Sequence, residues 1–171
     1  TDSLLQQAPH VFGRLGIQRL HFHHTAGLPQ AVLQLPDLLG LPYDFTVHDF
    51  RVVCPQTHFV TKQGQFCGRP DVEGCEECTL ERPDSWGIGI RRWRLAFEEW
   101  LAGADRVIYP SQYVRKVIED YFPQVQGEVW PHPEQAMSEF SGFAERSLAC
   151  RKFVLIGALS AAKGLHRLTE L

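Results

Sequence analysis

The chain has 171 residues, of which 44% are hydrophobic and 22% charged, with a formal net charge of −3. This is the composition of a globular domain with a core of its own, and it excludes the broad basic field that a nucleic-acid-binding surface requires. No stretch approaches the ~20 apolar residues that span a bilayer.

Residues 1–16 read as the tail of a helix and a loop. IQRLHFHH (17–24) is a strand candidate, with Ile17, Leu20 and Phe22 as its apolar positions. Leu28, Val32, Leu35 and Leu39 recur at helical spacing and Gly40 closes the segment; Pro36 is expected to kink or split it. A second strand is expected over 43–50, with Phe45 and Val47 on one face and His48 and Asp49 at its end. Residues 51–85 differ in composition. They hold four of the five cysteines, three prolines and a hairpin signal at Lys62-Gln63-Gly64. They read as an excursion from the core fold, not as a regular βα unit.

An amphipathic helix follows over 88–105, with Ile90, Trp93, Phe97, Trp100 and Leu101 as its apolar face and Gly103 as its end. Its run Arg91-Arg92-Trp93-Arg94 reads as a solvated face, with peripheral membrane contact as the minor reading. A short buried strand (106–111) runs into Ser111, a helix cap. The helix over 112–122 turns Val114, Val117, Ile118, Tyr121 and Phe122 inward, and a strand over 127–134 ends in prolines. Residues 134–151 are polar and irregular, a linker candidate that contains Cys150. FVLIGAL (153–159) then reads as the opening strand of another unit. Strands alternating with helices argue for an α/β protein with a parallel, Rossmann-like sheet.

Three groups of residues carry chemistry. In open parallel sheets ligands bind at the carboxyl ends of strands. His23, His24 and Thr25 follow the first strand, and His48 and Asp49 follow the second. A His-Asp pair there can position a hydroxyl or hold an imidazole in one tautomer; a backbone hydrogen bond under the excursion is the plainer role for His48. The second group is Cys54, Cys67, Cys75 and Cys78, spaced C-x12-C-x7-C-x2-C. One C-x2-C clip fits a structural zinc site, because that spacing lets two sulfurs face one ion, with His58 as a substitute ligand. One or two disulfides, with Cys75 and Cys78 as the reactive pair, and four reduced thiols are the other readings. An odd cysteine count without a secretory leader favours a reducing, cytoplasmic setting. The third group is the loop GALSAAKGL, where Lys163 and helix-end amides around Gly164 could hold a phosphate. A solvated lysine is the plainer reading. The loop is neither a Walker loop nor a Gly-x-Gly-x-x-Gly turn.

Taken in order, these segments resemble the GT-B glycosyltransferases of the large retaining group 1, or family 4. HFHHTAGLPQAVLQLPDLLGLPYDFTVHDFRVVCPQ is similar to the middle of that family's acceptor domain. GADRVIYPSQYVRKVI is similar to a later strand and helix of it, and FVLIGALSAAKGLHRLTEL to the opening of the donor domain. The resemblance implies an acceptor-domain half over 1–133, a linker over 134–151 and a first donor-domain unit over 152–171. The chain would then be a middle piece of a two-domain enzyme, inactive by itself. It also implies transfer of a sugar from a UDP- or GDP-sugar to a glycan hydroxyl with retention, without a catalytic metal. His48 and Asp49 would act at the reacting sugar, His24 and Thr25 would line the acceptor cleft, and Lys163 with Gly164 would bind the donor diphosphate. Ala158 stands where the family carries an arginine, which departs from its pattern. A zinc-binding interaction module without catalysis is the alternative. A sheet lacking strands at its edge would also favour homodimers.

Overall fold

The computed structural model describes residues 2–131, with side chains from residue 5. The linker and the opening strand expected beyond 133 lie outside these residues, as do Cys150, Ala158, Lys163 and Gly164. Among the described residues no helix is long and apolar enough to cross a membrane.

Four strands form one all-parallel sheet in the order β1 (Leu20–Phe22), β2 (Tyr43–Thr46), β3 (Arg106–Tyr109), β4 (Glu128–Val129). Each strand pairs with its successor. Right-handed crossovers between such neighbours send every connection to the same side of the sheet. Helix α1 (Asp2–Arg14) precedes β1 and packs Ala8 against Val32 and Leu35. A 3-10 turn over Gln30–Gln34 leads into α2 (Leu35–Leu39). Pro36 sits in the first turn of α2, where a missing N–H costs nothing, so it splits the segment as the sequence suggests. Gly40 ends α2 at φ 60°, a left-handed cap that favours glycine.

The side chains of Tyr43, Phe45, Val107 and Tyr109 alternate onto one face of the sheet. They join Trp93, Phe97, Trp100 and Leu101 from α4 (Gly89–Ala102) and Val117 and Ile118 from α5 (Gln112–Tyr121). All five apolar positions expected for α4 are buried. Ser111 caps α5, accepting the Val114 N–H at 3.3 Å. The register puts His21, Asp44, Thr46, Arg106, Ile108 and Glu128 on the opposite face. Asp44 is 1% exposed there and is gripped by Arg106 (2.6 Å) and Arg19 (3.3 Å).

Residues 51–85 depart from the sequence reading in one respect: they contain a helix, α3 (Val72–Glu81). Asp71 caps it, accepting the Gly74 N–H at 2.9 Å. None of its residues is buried. The hairpin is present, closed by an antiparallel bridge between Val60 and Phe66. The excursion leaves and returns at one place. Arg51 Nη2 donates to Ser85 Oγ at 2.9 Å, and Gln56 Nε2 to the Arg82 carbonyl at 2.8 Å. Val52, Val53 and Phe59 root it in the main core. The basic run on α4 is not one solvated face. Arg91 is exposed and binds Glu73 and Glu76 of α3, Trp93 is fully buried, and Arg94 turns under the excursion.

Candidate functional site

The parallel register sets Phe22 beside Phe45, so the residues that follow β1 run alongside those that follow β2. Residues two apart share a face, and this builds a row of imidazoles. His21 Nε2 and Thr46 Oγ1 are 2.8 Å apart, and His23 Nδ1 and His48 Nε2 are 2.9 Å apart. The His21 and His23 rings stack at 4.2 Å, and the His23 and His48 rings at 5.2 Å. Partial burial, then the charge of His23, holds His21 below the ordinary imidazole value. Between His23 and His48 one ring nitrogen must donate and the other accept, so the pair is made only while one of the two is unprotonated.

Beside this row, His24 and Asp49 form a second pair. The Ala26 N–H donates to His24 Nδ1 at 2.8 Å, which leaves the proton on Nε2, 2.5 Å from Asp49 Oδ2. The other carboxylate oxygen of Asp49 accepts the Arg51 N–H at 2.8 Å. The structure therefore brings His48 to His23, and Asp49 to His24. His23, His24 and His48 are exposed. Thr25 is 2% exposed, and its carbonyl takes the Leu28 N–H in a turn. Lys163 and Gly164 lie outside the described residues. Sequence reasoning missed His21 and Thr46. The signal was there in His21-x-His23 facing Thr46-x-His48, which alternation along paired strands places on one face.

The cysteines assemble elsewhere. Cys54 lies in the turn after β2, Cys67 follows the hairpin, and Cys75 and Cys78 lie on α3. All four are free thiols, half-buried, and all four line one cavity of about 30 Å³ together with Arg82 and Arg94. Burial, then the neighbouring thiols, pushes Cys54 above the usual thiol value. His58 is exposed and stands apart from this cavity. Among the described residues no three Cys, His, Asp or Glu side chains form a preformed metal-ligand set.

Comparison with protein-family models, curated proteins and solved structures finds no match for this chain.

Proposed function

We propose that this chain supplies the acceptor-side, Rossmann-like domain of a retaining GT-B glycosyltransferase that takes a UDP- or GDP-sugar and a glycan acceptor. The observation that carries the reading is the row of imidazoles at the carboxyl ends of β1 and β2, the place where open parallel sheets bind ligands. The segment order along the chain adds support. In the transfer, an acceptor hydroxyl oxygen bonds to the anomeric carbon as the bond to the diphosphate breaks, and the hydroxyl proton leaves with the diphosphate. His48, steadied by His23, would hold a sugar hydroxyl at the reacting centre. Asp49 would fix the tautomer of His24 so that its ring edge meets the acceptor, and Thr25 would shape the turn beneath. Lys163 and Gly164 would take the charge of the departing diphosphate.

The test is transfer by the gene product that carries this sequence, offered UDP- and GDP-sugars and a panel of glycan acceptors, with nucleoside diphosphate release as readout. His48→Ala is expected to lower turnover by a factor on the order of 10² or more. His23→Ala should lower it less, and Asp49→Asn should raise KM for the acceptor. Near-normal turnover by His48→Ala would remove that residue from the mechanism. No transfer with any donor, together with no glycan binding, would overturn the reading.

A further inference from the structure

We propose that Cys54, Cys67, Cys75 and Cys78 form a structural tetrathiolate site for one zinc ion, and that Arg82 and Arg94 are its charge partners. The inference is independent of the transferase reading.

The first ground is convergence. The chain has five cysteines, and four of them line one cavity. They arrive from separate segments: a turn, the end of a hairpin, and a helix on which Cys75 and Cys78, three residues apart, share a face. Size is the second ground. At about 30 Å³ the cavity suits one water-sized guest and excludes an organic cofactor or a cluster.

Stability supplies a third. No residue of helix α3 is fully buried, so apolar packing alone holds it weakly. A metal gives a loop-rich segment the cohesion that its own core cannot.

Charge is the argument that selects a thiolate-bound dication. Arg82 Nη2 lies 3.1 Å from Cys78 Sγ, and Arg94 Nη2 lies 3.2 Å from Cys75 Sγ. Their other acceptors are the backbone carbonyls of Val60 (2.6 Å) and Val53 (3.0 Å). Among the described residues neither guanidinium has a carboxylate partner. Arg69, which also borders the cavity, does have one in Asp120. A guanidinium stays charged in proteins. Arg94 also lies 4.6 Å over the Tyr121 ring; two guanidiniums, half-buried and aimed at sulfur, still favour an anionic neighbour. Zinc held by four thiolates carries a net charge of about −2, which the two arginines balance. Disulfides would leave both facing neutral sulfur. The ligand set is not preformed. Closing it on an ion requires the four cysteines that line the cavity to draw together.

The test uses the full chain, purified with reductant and without chelator. Elemental analysis is expected to find about one zinc per chain. After zinc removal, titration with cobalt(II) should give the intense visible bands of a tetrahedral tetrathiolate. Arg82→Ala and Arg94→Ala keep every ligand and should weaken zinc binding roughly 10–100-fold in competition with a chelator. Cys75→Ser with Cys78→Ser should abolish binding; because that variant could fail to fold, the arginine variants and the cobalt spectrum carry the decision. A chain that stays folded by circular dichroism, holds no zinc after exposure to it and titrates five free thiols would overturn the site. An intact mass showing disulfides under reducing purification would do the same. Unchanged zinc affinity in both arginine variants would overturn their role.

Discussion

Asp84 accepts hydrogen bonds from the backbone N–H groups of Trp86 (2.9 Å), Ile88 (3.3 Å) and Gly89 (2.8 Å) at the entry to α4. Burial alone would raise its carboxyl, but these donors outweigh it and hold the group below its ordinary value. A depressed carboxylate adds stability above its unfolded value of 3.8, and that stability is lost as pH falls through the lower folded value. Asp84→Asn is expected to cost roughly 2 kcal/mol at neutral pH and to flatten the acid limb of stability below about pH 4. Urea unfolding across a pH series measures both. Tyr109 gives the opposite case. It is fully buried, and among the described residues its hydroxyl has no partner. Burial pushes it up to about 12, so its contribution is present below about pH 10 and fades as pH rises toward 12. Tyr109→Phe is expected to be neutral or stabilising by about 1 kcal/mol, because it deletes a buried unpaired group; a lower denaturation midpoint would contradict this. At this scale the sequence displayed His24, His48 and Asp49 but not their pairing. Pairing depends on register, and one residue of slip would exchange every partner.

Gly127 shows how elements meet. A Cβ there would stand 2.4 Å from Tyr109 Cε2 and 2.6 Å from the Val107 carbonyl, and backbone cannot step aside. Gly127→Ala is therefore expected to cost about 1–3 kcal/mol. It should also speed amide exchange at Trp130, whose N–H donates to the Tyr109 carbonyl at 2.9 Å. Helix α4 was legible because its apolar residues recur at the helical period, and the same residues are the ones buried. Helix α3 was not, because a helix with no fully buried residue leaves no clear apolar period to read. Arg94 was misread for a related reason. Periodicity separates apolar from polar positions, but it does not show which polar positions a distant excursion will cover.

At the scale of the molecule, alternation of strand and helix disclosed the parallel sheet. It did not disclose that the strands run in sequence order with their connections on one side, leaving His21, Asp44 and Arg106 on the other. Among the described residues the edges of the sheet are β1 and β4, which have three and two residues. So few backbone bonds make a weak pair. Light scattering should show mass rising with concentration, and a constant monomer mass would count against an edge dimer. The closed neck of the excursion, Arg51 to Ser85 and Gln56 to Arg82, has a different consequence. Replacing residues 57–81 by a short linker is expected to keep the circular dichroism of the sheet and to abolish zinc binding. It should also lower stability by about 3 kcal/mol, chiefly through loss of Phe59. A segment whose ends already touch is portable: a lineage can acquire, lengthen or discard it while the strand-end imidazoles stay where they are.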